Sequence, residues 1–287
     1  MSVQEAFRER ISLFHLEHQR RVADWLYWWA PAEWEKSRWC FRSSAAAVIA
    51  IPTGCAPEDG AECANDESGW IRWWAIADGK SETKHLRFAL TQAEEALRAS
   101  GVHRLWTLSL PAEWPSRALL ETLGFSRVET LITLRKTLIA PQRLLTPWRV
   151  REFQADDTAS LLSLDTRAFA EPWRLGNADL RRLLACSRLT LVVEVETEVV
   201  GYLCAIQQSD DAESVHIVRL AVDPAYRRRG IGTALLLEAQ WQLARQGVRI
   251  VSLNTMEGNY AARKLYAALG FKATRTPAWV WQKPLMP

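Results

Sequence analysis

Two kinds of hydrophobic pattern alternate along the second half of the chain. Residues 189–195 and 199–207 are short runs of Val, Leu and Ile on either side of a turn at Glu196 and Glu198, which predicts a β-hairpin. A third apolar run, 215–222, stops at Pro224, which cannot continue a ladder. From Ile231 the period changes to four, through Leu235, Ala239 and Leu243, predicting an amphipathic helix that ends before Gly247. Strand returns over 248–254. A helix over about 260–269 is closed by Gly270, and 274–282 forms a last strand. Ahead of the hairpin stand a strand at 148–152 and helices around 157–169 and 178–186. The whole predicts a mixed α/β layer fold with a strand, a basic turn and a helix at its centre.

The first half is less regular: a helix over about 4–29, then strands near 41–51 and 70–77 that bracket an acidic, glycine-containing loop over 52–68. Yet it resembles the second half. Gly101-Val102 and Leu123-Gly124-Phe125 recur as Gly247-Val248 and Leu269-Gly270-Phe271, at a shift of 146 without a gap. At the same shift Ala75, Leu90, Ala93, Leu97 and Leu119 fall on Ala221, Leu236, Ala239, Leu243 and Leu265. The shared positions are mostly apolar, so both halves place the same faces against the same kind of sheet. Two similarly folded domains are expected, 1–140 and 147–287, joined by the proline-bearing segment 140–147.

Composition adds limits. Hydrophobic residues make up 48% and charged residues 24% of the 287, as in a folded protein with a real core. The net charge of +3, from 36 basic and 33 acidic residues, makes no overall case for nucleic acid or an anionic membrane surface. No apolar window reaches the length of a membrane span, so a cytoplasmic protein is expected. Fifteen tryptophans, densest at Trp25, Trp28, Trp29, Trp34 and Trp39, read as packing residues. Cys40, Cys55, Cys63, Cys186 and Cys204 have no zinc-like spacing, and free thiols with no metal site are expected. His15 and His18 share a helix face without carboxylate or cysteine partners and read as solvated surface.

The chemistry concentrates in the turn after the strand ending at Val222: Asp223, Pro224, Ala225, Tyr226, Arg227, Arg228, Arg229, Gly230, Ile231, Gly232, Thr233. Glycines let the backbone approach a ligand, a helix N-terminus offers free amides and a positive dipole end, and three arginines add charge. Such a turn suits a pyrophosphate. It is no dinucleotide fingerprint, because Leu235 stands where a third glycine is needed, and it lacks the Lys-Ser or Lys-Thr pair of a Walker loop.

Arg227, Gly230 and Gly232 match the cofactor loop of the GNAT superfamily of N-acetyltransferases: Gln or Arg, two residues, Gly, one residue, then Gly or Ala. The preceding Leu220-Ala221-Val222-Asp223-Pro224 is similar to that family's strand into the loop. Asn259, Ala262, Leu265, Tyr266, Gly270 and Phe271 match its later asparagine, "LY" and "LGF" positions. The resemblance covers about 148–283, and its tandem form is distantly similar to the mycothiol synthases, whose catalytic half is carboxy-terminal.

The resemblance implies two tandem domains, each with a mixed, mostly antiparallel sheet flanked by helices, and transfer of acetyl from acetyl-CoA to a primary amine within a ternary complex. It implies pyrophosphate on the amides of Arg229, Gly230, Ile231, Gly232 and Thr233 beside Arg227 and Arg228, and pantetheine along Leu220, Ala221 and Val222. Asn254, Asn259 and Ala262 would complete the cofactor site, and Tyr266 would protonate the departing thiolate. His216, with Glu213 as second choice, is the candidate base. The acceptor is a small-molecule amine or a protein N-terminus, and the chain a monomer or homodimer. A non-catalytic acyl-CoA-binding regulatory protein is the alternative; nucleic-acid binding through Arg227, Arg228 and Arg229 is a weaker one. In the first half Ser81, Lys84 and Leu86 replace Arg227, Gly230 and Gly232, and Leu120 replaces Tyr266, so that half is expected to keep the fold without the cofactor site.

Overall fold

The computed structural model describes residues 37–43, 46–55, 67–76, 82–111, 114–139, 146–208, 211–274 and 277–285. The helix expected over 4–29, with its tryptophans and histidines, lies outside them, as do Ser81, Cys63 and most of the expected loop 52–68 and linker 140–147. Two compact units emerge: Met1–Thr130 together with Ala278–Pro287, and Leu131–Pro277.

In the first unit β1 (Cys40–Arg42), β2 (Ala46–Pro52) and β3 (Ser68–Ile76) form an antiparallel meander. A single strand was expected over 41–51; two are found. The polar Ser43 interrupts the run, and its hydroxyl accepts from the Ala46 amide at 2.9 Å. Helix α1 (Glu82–Ala99) then leads to β4 (Arg104–Ser109), parallel to β3. Helix α2 (Arg117–Thr122) follows, its first turn capped by Ser116. Strand β5 (Ser126–Thr137) begins in the first unit and ends in the second.

The second unit opens with the end of β5 and β6 (Val150–Glu152), followed by helices α3 (Thr158–Ala168) and α4 (Asn177–Ala185). Strands β7 (Ser187–Val195), β8 (Glu198–Gln208) and β9 (Asp211–Val222) form a second meander. Next come α5 (Ile231–Arg245), β10 (Ile250–Met256) parallel to β9, α6 (Tyr260–Ala268) and the short β11 (Lys272–Ala273). The apolar stripe Ile231, Leu235, Ala239, Leu243 is buried against Val200, Leu203, Val215, Ile217, Val251 and Leu253 on one face of the sheet. The last strand, β12 (Ala278–Pro284), belongs to the first unit.

Strand register confirms the repeat. Ser68 pairs with Arg104 and Ser214 with Ile250 in parallel ladders, and both positions are displaced by 146. The final strands, however, are exchanged. β10 of the second unit pairs antiparallel with residues 131–137 of β5, whereas its counterpart β4 pairs with β12 from the chain's end. The boundaries expected at 140 and 147 therefore fall differently from the compact units. Each exchanged strand brings one lysine to an equivalent place. Lys283 bonds Glu94 at 2.5 Å and lies 5.8 Å from the Phe125 ring, while Lys136 bonds Gln240 and lies 6.0 Å from the Phe271 ring.

Among the described residues Cys186 and Cys204 are free thiols, but Cys55 is disulfide-bonded, against the expectation that all five are free. Cysteine pairing depends on which Cα atoms the fold brings within about 7 Å, and spacing does not report that. Among the described residues no helix is long and apolar enough to cross a membrane.

Candidate functional site

The site begins where two parallel strands part. β9 and β10 are paired only from Ser214–Ile250 to Ile217–Leu253, although β9 continues to Val222 and β10 to Met256. The cause lies on the other edge of β9: Cys204 faces Arg219 and Ala205 faces Ile217, so Val218 is an extra, bulged residue. A bulge bends its strand and inverts the alternation beyond it. Val215 and Ile217 face the α5 core before the bulge, Leu220 and Val222 after it, and Arg219 turns to the opposite face. Among the described residues, one edge of β9 beyond Ile217 thus runs without a partner strand to the basic turn.

The turn is built by local constraints. Asp223 accepts from the Ala225 amide at 2.9 Å and from Arg167 Nε at 2.8 Å. Burial alone would raise the Asp223 carboxyl, but these bonds and the Arg167 and Arg227 charges hold it below its ordinary value. Gly230 is the N-cap of α5 at φ 85°, a left-handed conformation costing other residues about 1–2 kcal/mol. Arg228 adopts a similar φ of 65°. Trp148 donates its indole N–H to the Arg229 carbonyl at 2.8 Å, holding the turn from outside.

Helix α5 receives no side-chain cap, and the Ala234 amide makes the first bond, to the Gly230 carbonyl. The amides of Ile231, Gly232 and Thr233 therefore have no intrahelical acceptor and sit at the positive end of the helix dipole. With Arg228 and Arg229 exposed beside them, this cradle fits an anionic diphosphate. The glycines play parts beyond ligand clearance. A Cβ at Gly232 would come within 3.2 Å of Leu265, so that glycine also lets α6 approach. Gly201, unnoticed in the sequence, matters more: a Cβ there would lie 2.7 Å from Ile231 Cγ2. Its bare backbone seats the first residue of α5 on the sheet; a lone glycine inside a strand pattern was the available signal.

Among the remaining expected site residues, Ala221 is buried on the face opposite Leu220 and Val222. Asn254 lies on β10 past the parting of the strands, its Oδ1 2.8 Å from Thr133 Oγ1. Asn259 caps α6, accepting from the Ala262 amide at 3.1 Å, so its side-chain oxygen has a structural employment. Tyr266 packs edge-on against Phe271, centroids 6.0 Å apart, and burial pushes its phenol up to about 12.

The two candidate bases do not join this group. Glu213 sits at the start of β9, ion-paired with Arg249 at 3.4 Å. Nine residues separate it from Val222, about 30 Å along a strand. His216 is 1% exposed, its Nδ1 lies 2.8 Å from Ser252 Oγ, and burial pushes its pKa down to about 3. Both residue types suited proton transfer; burial and strand position, which residue type does not report, remove them from the cradle. Among the described residues no cluster of metal-ligating side chains occurs.

A profile of the Acetyltransferase (GNAT) family matches residues 158–271, from α3 through Phe271. An L-2,4-diaminobutyric acid acetyltransferase of Nocardia farcinica is 28% identical over 156 residues, 50% of this chain and 78% of that protein. A mycothiol acetyltransferase of Acidothermus cellulolyticus is 30% identical over 201 residues, 61% of this chain and 60% of that protein. Among solved structures, a tandem GNAT protein from the clavulanic acid biosynthesis pathway superposes with a TM-score of 0.56 at 16% identity, covering 85% of this chain and 80% of its own. At that identity the likeness speaks for the fold. The parted strands, the left-handed glycine and the uncapped helix lie within the matched span, and residues 158–271 are an acetyltransferase domain of the GNAT family.

Proposed function

We propose that this chain transfers the acetyl group of acetyl-CoA directly to a primary amine of a small molecule, at a single site in the second unit. The observation that carries the reading is the run of free amides at Ile231, Gly232 and Thr233, in line with the unpartnered edge of β9. The amides and the Arg228 and Arg229 side chains would hold the diphosphate, and the backbone of Leu220 and Val222 would pair with the pantetheine arm. That arm would direct the thioester towards the parting of β9 and β10. Acetyl-CoA supplies an activated acyl carbon there.

The chain's residues then have two tasks. The first is to hold a neutral amine against the acyl carbon, where the new C–N bond forms as the C–S bond breaks. The second is proton traffic. Tyr266, protonated at neutral pH as a phenol is, donates to the sulfur of the departing thiolate. The proton lost by the amine passes to water, with neither His216 nor Glu213 taking part. The named relatives support a small acceptor, since one acetylates L-2,4-diaminobutyric acid and another is a mycothiol acetyltransferase.

Calorimetric titration of acetyl-CoA tests the reading, followed by an assay of CoA release with L-2,4-diaminobutyrate and a panel of small primary amines. One-to-one binding with amine-dependent thiol release is the expected outcome. No binding at all sinks the proposal. Binding without turnover on any amine would leave a cofactor-binding regulatory protein.

A further inference from the structure

Arg227 opens the phosphate turn, and its position in the family motif suggests a ligand for the diphosphate. Its guanidinium is directed elsewhere. Nε donates to the Val222 carbonyl at 3.2 Å and Nη2 to the Ala168 carbonyl at 2.9 Å. Ala168 is the last residue of α3, and carbonyls in a helix's last turn lack intrahelical donors. A cation at that end also complements the helix dipole. Arg227 thus joins the entrance of the turn to the end of a helix 59 residues earlier.

Loop 169–176, which follows α3, is held by Arg219 of β9, by Asp165 of α3 and by its own Arg174. Arg219 donates to Asp165 Oδ1 at 3.0 Å and to the Trp173 carbonyl, with its guanidinium carbon 4.1 Å from the Phe169 ring centroid. Asp165, fully buried, also accepts from the Leu175 amide at 2.8 Å and from Tyr202 Oη at 2.5 Å. Arg174 Nε donates to the Phe169 carbonyl at 3.0 Å. Arg219 from β9 and Arg227 from the turn after it therefore grip the carbonyls of Trp173, in the middle of the loop, and Ala168, just before it. Between the grips, Leu220 and Val222 lie on the unpartnered edge.

We propose that Arg227 is a positioning residue rather than a phosphate ligand: it ties the turn to the end of α3, so that occupancy of the turn sets the arrangement of loop 169–176. The inference rests on the proposed function for what occupies the turn. Arg228, next in the chain, already holds a left-handed backbone, so a diphosphate settling on the following amides bears on a strained segment. The Arg227 side chain carries that adjustment to the Ala168 carbonyl, and Arg219 keeps the rest of the loop in register. Binding at the turn and order in the loop are then linked, and the linkage is reciprocal.

Hydrogen exchange of peptides covering 168–176, with and without CoA, tests the tether in the full chain, alongside calorimetric titration of CoA. In the wild type CoA should slow exchange in this segment by about tenfold. Arg227→Ala should bind CoA within about threefold of the wild type but lose the CoA-dependent protection, and Arg227→Gln, which keeps a planar N–H donor, should restore part of it. A tenfold or greater loss of CoA affinity with the loop response intact would overturn the proposal and make Arg227 a phosphate ligand. An unchanged loop response in Arg227→Ala would overturn it too. If the wild type bound no CoA, the proposed function would fall, and the tether would be decided by the unliganded comparison: faster exchange at 168–176 in Arg227→Ala supports it, equal exchange refutes it.

Discussion

The two units share a register yet differ where a ligand would sit. In the second, an uncapped helix begins at Ile231 behind a left-handed glycine, and the residue two after that glycine carries no side chain. In the first, the equivalents of Gly230 and Gly232 are Lys84 and Leu86, and Leu86 is fully buried in the core. Leu120, equivalent to Tyr266, is likewise fully buried. The parallel ladders differ in the same way. Trp70 and Trp106 pair in the first unit with ring centroids 6.4 Å apart, and His216 and Ser252 pair at the matching places of the second. One pair fills space with indoles and the other with a hydrogen bond, so His216 occupies what is a packing position in both. A repeated fold conserves its packing positions and is free at the few that a ligand needs.

Converting the second unit's turn to the first's should have the largest effect. Gly230→Lys with Gly232→Leu forces a side chain into a left-handed position and another against Leu265, and acetyl-CoA affinity should fall at least about a hundredfold. Calorimetry showing wild-type affinity would break the comparison.

The exchanged strands give the next test. We propose that the smallest catalytic piece is 131–277, because β10 needs residues 131–137 as its partner. A fragment beginning at 147 leaves that edge open and should lack a cooperative thermal transition, whereas 131–277 should show one. Equal melting of the two fragments would refute the strand assignment.

Tyr266→Phe should lower kcat by about a hundredfold or more while acetyl-CoA binding stays within about threefold. Unchanged turnover would return Tyr266 to the packing role that Leu120 has.

For His216 the sign follows from burial. Its folded pKa of about 3 lies below the ordinary value, so above about 6.5 both states are neutral and nothing is lost. As pH falls below about 6.5 the unfolded chain gains a proton that the fold refuses, costing up to about 1.4 kcal/mol per unit until about pH 3. His216→Gln should flatten that part of the stability curve in denaturant titrations. It should also leave the pH profile of kcat/KM without a new inflection; loss of one would restore the residue as a base. The smallest effect is Arg228→Gly, which relieves the φ of 65° and should raise Tm by a few degrees, or about 1 kcal/mol. A lower Tm would mean that the arginine side chain stabilises the turn more than its backbone strains it.

Much of this was legible in one dimension. The shift of 146 anticipated the equivalence of Ser68–Arg104 and Ser214–Ile250, because a register slip of even one residue would turn apolar positions outward. The four-residue stripe from Ile231 located α5, and the glycine spacing located its uncapped start. Residue type says nothing of burial: His216 and Glu213 are candidate bases by type, and only the fold shows that His216 is 1% exposed. Gly201 passed unnoticed because its reason, the Ile231 methyl, lies thirty positions away in sequence.

By itself the sequence determined the element order, the doubled architecture and the turn that distinguishes one half from the other. These are local or periodic properties, written in neighbouring residues. Tertiary structure alone decided three things. It exchanged the final strands, pairing residues 131–137 with β10 and 279–284 with β4, a choice between segments far apart in the chain. It placed Arg227 on the Ala168 carbonyl and Arg219 on Asp165, contacts between residues more than fifty positions apart. And it parted β9 from β10 at Val218, because a bulge is a count of residues on two strands at once, which neither strand carries alone.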